Sequence, residues 1–243
     1  MLDLLAEQDR GLRMSDIQRG LGIPRPTVHR IVNTLLDHGY VVRDDDDRYH
    51  LGMRLYELGM RVQSSSSALD TIAHELEAIA DDLDATSYLS VRRGDVAMCL
   101  ARVDRGSVRI TDYQIGETLP LTVGAGPKIL LASMTTDEIE ALLDATRLPI
   151  FTANTLSSRR ATLDAVEQIR RDGYAVGRGD HVEIQTAIGV PLNDPYGQPA
   201  GAISVAMFQP RPLPGELEVI VQRLRVGAER LGRKRWWASE ISR

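Results

Sequence analysis

Apolar residues near the start of the chain first recur at helical spacing and then alternate as in strands. Val28, Ile31, Val32, Leu35 and Leu36 fall three or four residues apart, which predicts a helix with one buried face. Residues 20–24 contain two glycines and a proline, so they predict a turn before that helix. The β-prone segments 40–43 and 48–51 then predict a hairpin. This order is typical of a winged helix-turn-helix unit.

The polar side of the second helix carries the candidate DNA contacts. Thr27, Arg30 and Asn33 recur every third residue on the face opposite the apolar one. Ser15 and Gln18 fit a capping box at the start of the preceding helix. The candidate DNA-binding residues are Ser15, Arg25, Pro26, Thr27, His29, Arg30, Asn33 and Arg48. The alternative is an ordinary helical domain whose polar face is only solvated.

The distribution of charge is more informative than its sum. The net charge is −5, but the segment from Arg10 to Arg43 holds six arginines and two acids. Four aspartates, residues 44–47, follow at the tip of the predicted hairpin. A wing normally runs beside phosphates, so this acidic tip either points away from DNA or weakens non-specific binding.

The remainder of the chain predicts a second domain. We expect a DNA-binding domain at 1–52, a linker helix with a serine-rich linker at 53–67, and a ligand-binding domain at 68–243. Mixed strands and helices with hairpins predict an α+β sheet domain that is largely antiparallel. Its predicted strands are 86–91, 96–103, 108–111, 174–177, 184–191 and 200–208, and its predicted helices are 69–83, 126–134, 137–144, 158–172 and 215–232.

Few features of the sequence indicate an enzyme. Cys99 is the only cysteine, and it lies in an apolar strand with no glycine-rich turn or helix start to lower its pKa. Phosphate-loop, dinucleotide, zinc and nucleophile-elbow motifs are absent. We therefore expect no enzyme activity, no cofactor and no metal. The alternatives are a cysteine-dependent enzyme, with His74 or His181 as its base, and a ligand-binding module without a DNA role.

Localisation follows from two further features. There is no run of about 18 apolar residues, so we expect no membrane segment. The first residues lack the basic start of a signal peptide, and a single cysteine excludes an internal disulfide framework. These features predict a cytoplasmic protein.

Several short motifs, in a specific order and spacing, give the chain a family resemblance. They are residues 22–30, 38–41, 48–52, 119–121, 126–132, 171–175, 190–192 and 202–205. Over essentially its whole length the chain resembles the IclR family of transcriptional regulators. The resemblance implies a winged-helix domain joined by a helix to a GAF-like effector-binding domain. It also implies dimers, often paired into tetramers, which bind palindromic double-stranded operators and respond to a small metabolite. The first helix is short for the family, so we expect the natural start to lie before Met1.

The resemblance also implies an effector site. It places Gly124 and Ala125 at the mouth of a pocket, where backbone N–H groups before a helix can receive a carboxylate; the alternative is a structural turn. The other wall is formed by Gly177, Ala187, Ser204 and Ala206. Relatives that bind small keto acids carry an acid, a cysteine or serine, and two serines at these positions, and only Ser204 is kept here. The apolar replacements predict a larger or more hydrophobic effector, such as an aromatic or acyl acid.

Overall fold

The computed structural model describes residues 1–6, 8, 10–65, 67–105, 113–208, 212–213 and 215–233. The chain divides into two compact units, one from Met1 to Ser67 and one that begins at Ala68. The strand predicted at 108–111 lies outside the described residues.

The first unit is a winged helix-turn-helix, as predicted. Its elements are α1 (Leu2–Ala6), β1 (Leu12–Arg13), α2 (Met14–Leu21), α3 (Arg25–Asp37), β2 (Val41–Arg43), β3 (Arg48–Leu51) and α4 (Met53–Ser65). The three strands form an antiparallel sheet in the order β1-β3-β2. Ile17, Val28 and Val32 are fully buried, because their spacing puts them on the inner faces of α2 and α3.

The start of α2 corrects one prediction. The helix begins at Met14, so Ser15 is its second residue rather than its cap, and the capping position is held by Arg13 without a side-chain hydrogen bond. The capping box of Ser15 and Gln18 is therefore wrong. The reason is a distant contact: Leu12 pairs with Tyr49 of β3, which holds the chain extended until Met14.

The second unit contains a six-stranded sheet with helices on both faces. Its elements are α5 (Ser67–Leu83), β4 (Thr86–Arg93), β5 (Val96–Val103), β6 (Thr118–Pro120), α6 (Ala125–Ala132), α7 (Thr136–Ala145), α8 (Arg159–Asp172), β7 (Ala175–Arg178), β8 (Gln185–Asn193), β9 (Pro199–Phe208) and α9 (Glu216–Gly232). The strand order is β6-β5-β4-β9-β8-β7, and every pair is antiparallel. The serine run predicted as a linker is helical up to Ser65 and again from Ser67.

Alternation along the strands separates two buried layers. Ile188 of β8 and Ile203 of β9 face one side, where they pack with α5 and α9 through residues such as Leu76 and Leu224. Ala187, next to Ile188, faces the other side and packs against the layer that contains α6, α7 and α8. The candidate ligand site lies in this second layer.

Two glycines let the start of α6 approach the sheet closely. A Cβ added at Gly189 of β8 would lie 3.1 Å from the carbonyl carbon of Ala125 and 3.2 Å from the backbone nitrogen of Gly126. A Cβ added at Gly126 would lie 3.1 Å from Ser204 Oγ and 3.2 Å from Ser90 Oγ. The first turn of α6 therefore rests directly on β4, β8 and β9.

Candidate functional site

Helix α3 of the first unit presents a polar surface opposite its buried face. Arg25, Pro26, Arg30 and Asn33 are exposed, whereas Thr27 and His29 are half-buried. The Arg25 Nε–H donates to His29 Nε2 across 3.4 Å. An exposed row of this kind at the start of the second helix is what major-groove recognition requires.

The acidic wing tip is partly neutralised by its own contacts. The Asp44 carboxylate accepts hydrogen bonds from the Arg48 backbone N–H at 2.8 Å and from His50 Nε2 at 2.7 Å. These bonds hold the pKa of Asp44 below its ordinary value. Asp47 pairs with Arg43 at 2.5 Å. All four aspartates are exposed, but within the described part of the chain Asp45 and Asp46 have no ion-pair partner, so they carry most of the uncompensated charge of the tip.

Arg48 and Ser15 occupy less typical positions for DNA contacts. The Arg48 side chain is half-buried, and its Nη1 donates to the carbonyl oxygen of Gly11 at 3.3 Å. This bond ties the wing to the segment before β1. Ser15 is exposed on the first turn of α2.

A small cavity lies in the second unit, between the first turn of α6 and the sheet. Only about 40 Å³ of it admits the centre of a water-sized sphere. That space suits about three water molecules. The lining residues are Tyr88, Tyr113, Leu119, Ala125, Gly126, Pro127, His181, Gln185, Ala187, Ser204 and Ala206.

Two tyrosines form one wall of the cavity. The rings of Tyr88 and Tyr113 are 5.9 Å apart at 30°. Burial raises the pKa of Tyr113, so its hydroxyl stays protonated and donates to Ser90 Oγ at 3.3 Å. The Arg102 guanidinium lies 5.4 Å from the Tyr88 ring centre and donates to the Tyr113 carbonyl at 3.1 Å. Arg102 is itself paired with Asp104 at 2.7 Å, so both rings are held in place.

Four of the six predicted effector residues line this cavity. They are Ala125, Ala187, Ser204 and Ala206. Gly124 and Gly177 are outside the lining and instead contact Asp180. The Gly124 N–H donates to Asp180 Oδ2 at 3.0 Å, and a Cβ at Gly177 would lie 2.6 Å from Asp180 Oδ1. The anion that the Gly124 N–H receives is thus a carboxylate of the protein itself.

Asp180 belongs to a buried ion pair beside the cavity. Its Oδ2 contacts Lys128 Nζ, and the two side chains are 5% and 8% exposed. The Asp180 carbonyl accepts a hydrogen bond from Thr155 at 2.7 Å, and the Gly179 carbonyl accepts one from Thr152 at 2.6 Å. Residues 179–185 are therefore fastened both to α6 and to residues 152–155.

Several cavity residues were missed by sequence reasoning. The small residues 177, 187 and 206 predict a wide cavity, but the rings of Tyr88, Tyr113 and His181 fill the space instead. The tyrosines and Gln185 carry no motif. Alternation with buried aliphatic residues could have placed Tyr88 of β4 and Gln185 of β8 on this face, but Tyr113 lies outside the described strands. His181, which the sequence offers as a possible base for Cys99, lines the cavity and contacts the Phe151 ring edge to face at 5.0 Å.

Cys99 has the properties of a packing residue. It is fully buried, and burial raises its pKa to about 12, so the nucleophilic thiolate does not form near neutral pH. Within the described ranges, no three His, Cys, Asp or Glu side chains gather as a metal site would require. No helix in the described part of the chain has the length and apolarity to cross a membrane.

A winged helix-turn-helix followed by an α+β unit with a small pocket beneath one helix defines a transcription regulator that joins DNA binding and ligand binding in one chain. Two family profiles match it, the "IclR helix-turn-helix domain" at residues 1–45 and the "Bacterial transcriptional regulator IclR C-terminal" at residues 61–233. The chain belongs to the IclR family. It is a DNA-binding transcriptional regulator with a C-terminal effector-binding domain, and its relatives are regulators rather than enzymes.

The similarity to individual relatives extends over nearly the whole chain. The HTH-type transcriptional regulator XynR of Escherichia coli (strain K12) is 28% identical over 234 residues, covering 96% of this chain and 93% of XynR. An IclR-type regulator structure from Silicibacter sp. TM1040 has a TM-score of 0.81 at 24% identity and covers 96% of this chain and 95% of its own. An IclR homologue from Microbacterium hydrocarbonoxydans, solved with 4-hydroxybenzoate, has a TM-score of 0.73 at 24% identity and covers 92% and 91%.

Proposed function

We propose that the regulator acts in the cytoplasm and reads its operator with α3 in the major groove. Arg30, Asn33 and Thr27 would contact base edges, while Arg25 and His29 flank them. The exposure of Arg30 and Asn33 opposite the buried Val28 and Val32 supports this orientation. Arg48, bonded to Gly11, would act mainly by holding the wing.

We infer that the effector is a small organic acid with an apolar body, bound in the cavity under α6. The composition of the lining carries this inference. One part of the lining is the first two residues of α6, whose N–H groups have no acceptor within the helix. The other part is a wall of aromatic rings and alanines. Ser204 Oγ lies beside this turn. Ser204 is only 5% exposed, and its side chain makes no hydrogen bond among the described residues.

The lining favours a single negative charge. Ala125 and Gly126 supply the positive end of the α6 dipole, and no Asp, Glu, Lys or Arg occurs among the described lining residues. The charges of Lys128 and Asp180 neutralise each other, as do those of Arg102 and Asp104. The relative that was solved with 4-hydroxybenzoate supports an aromatic monocarboxylate of one ring. A ring needs more than the present space, so its binding would move Tyr113 or His181.

A panel of acids tests this proposal. Thermal unfolding of the full chain would be followed with benzoate, 4-hydroxybenzoate, hexanoate, 6-hydroxyhexanoate, pyruvate and glyoxylate. A ligand that binds the folded state raises the melting temperature by mass action. We expect the six-carbon and aromatic acids to raise it more than pyruvate and glyoxylate do, because apolar area contributes roughly 25 cal/mol per Å² buried.

Ala187→Trp supplies the matching loss of function. Ala187 lines the cavity from β8, so an indole there should fill the space and abolish the response to the best acid. Ala141→Trp, at an exposed position of α7, is the control and should respond normally. The largest response to glyoxylate or pyruvate, or an unchanged response of Ala187→Trp, contradicts the proposal.

We also propose that the regulator is a dimer, which in turn pairs into a tetramer. Apolar side chains of α4 are exposed at helical spacing: Met53 is 71%, Tyr56 63% and Met60 45% exposed. Exposed apolar patches of this kind mark protein contacts. Sedimentation equilibrium of the full chain tests the assembly, and a monomeric mass at micromolar concentration contradicts it.

A further inference from the structure

Gln185 is a polar residue in an unusual environment. It opens β8 and is only 8% exposed, and it lines the cavity together with Ala187. Side chains two residues apart on a strand share a face, so the Gln185 amide points to the same side as Ala187. Among the described residues, this amide makes no side-chain hydrogen bond, although its backbone is bonded to Val182 and Gly179.

The polar atoms of the Gln185 amide reach the open space of the cavity, because neither of them is among the sealed side-chain atoms that lack a hydrogen bond. An amide can donate twice and accept at its oxygen, so these groups are available to a ligand there. An aliphatic side chain of similar size would suit the walls formed by Tyr88, Leu119 and Ala206 better. The structure therefore gives Gln185 no evident role in holding the fold.

The register places Gln185 far from the acid-binding end of the cavity. Gly189 of β8 lies opposite Ser204 under the first turn of α6, and Gln185 lies opposite Phe208. Four residues along a strand span about 13 Å. The cavity thus has Ser204 near α6 and Gln185 farther along β8, with the rings of Tyr88, Tyr113 and His181 and several apolar side chains completing its walls.

We propose that Gln185 is a specificity-determining residue that recognises an uncharged hydrogen-bonding group, a hydroxyl or carbonyl, at the end of the effector remote from its carboxylate. This inference rests on the proposed binding of an organic acid in the same cavity. A neutral amide pairs with either a donor or an acceptor. It does not compensate the desolvation of a second charge, so the remote group is neutral.

Matched pairs of acids test the inference. Isothermal titration of the full chain would compare 4-hydroxybenzoate with benzoate, and 6-hydroxyhexanoate with hexanoate, because each pair differs by one hydroxyl. We expect wild-type protein to bind the hydroxylated member of at least one pair about tenfold more tightly, the effect of one additional hydrogen bond. Gln185→Leu should bind both members equally, to within about twofold.

A second measurement needs no ligand. Because the amide makes no side-chain hydrogen bond among the described residues, Gln185→Leu should leave the melting temperature of the free protein unchanged or raise it. Gln198→Leu, at an exposed turn between β8 and β9, is the matched control and should change neither stability nor preference. A lower melting temperature of Gln185→Leu would show that the amide supports the fold, and would overturn the inference.

The outcomes separate the two proposals. If acids bind wild-type protein without a preference for the hydroxylated members, the role of Gln185 is overturned and the acid site stands. A preference that survives in Gln185→Leu also overturns the role of Gln185 alone. If no acid of the panel binds, the organic-acid proposal is overturned, and the inference about Gln185 with it.

Discussion

Removal of the Asp180 carboxylate should destabilise the second unit by about 3–5 kcal/mol, because it leaves a buried charge without its partner. Asp180 and Lys128 are 5% and 8% exposed, so neither is screened by water. Asp180→Ala leaves the Lys128 ammonium among apolar residues of α6 without its partner. It also removes the acceptor of the Gly124 N–H. A loss of this size lowers the melting temperature of a unit of this length by about 6–20 °C.

The assay is denaturant unfolding of the full chain, followed by a probe that reports on the second unit. Asp144→Ala is the matched surface control. Asp144 also contacts an arginine, Arg159, but the side chains of the pair are 73% and 44% exposed. Pairs at the surface contribute about 0–1 kcal/mol. The double change Lys128→Met with Asp180→Leu removes both charges and should recover most of the loss.

The reasoning is refuted if Asp180→Ala loses no more stability than Asp144→Ala. That result would mean that water reaches Lys128 readily after the change. It would also mean that residues 179–185 are held by Thr152 and Thr155 alone.

Two further predictions concern DNA. Arg30→Ala should weaken operator binding by about 1–3 kcal/mol and relax the sequence preference, as measured by gel-shift titration. Arg160→Ala, at an exposed position of α8, is the control. If the Arg30 variant keeps its affinity and its sequence preference, Arg30 does not contact a base. Changing both Asp45 and Asp46 to Asn should raise non-specific DNA affinity at low salt and have little effect at high salt. If affinity is the same at every salt concentration, the tip points away from the duplex.

Local patterns along the chain predict most of the architecture. The helical spacing of Val28, Val32 and their neighbours predicts α3, and the turn chemistry around Gly22 predicts its separation from α2. The capping box at Ser15 failed because its outcome depends on a strand 34 residues away, where Leu12 pairs with Tyr49. Hydrogen bonds to distant segments are not visible in a local pattern.

The site was predictable only in part for the same reason. Ala187, Ser204 and Ala206 were found through the family resemblance, and the structure brings them together. Gly177 was assigned to the same wall, but the carboxylate of Asp180 lies beside it and separates it from the cavity. Gln185 faces the cavity because of the register between β8 and β9, and no sequence motif marks that register.

Because α6 lies so close to the sheet, the two ends of the cavity differ in rigidity. At Gly189, the main chain of β8 meets the main chain of Ala125 and Gly126. The end of the cavity under α6 is therefore rigid, because close-packed backbone transmits a displacement to its neighbours instead of absorbing it. The opposite end is lined by the side chains of Gln185 and His181, which can change rotamer. One methyl group added at Gly189 would require the main chain at Ala125 and Gly126 to move by a few tenths of an ångström. Ligand size can therefore be tuned from a position that no ligand touches.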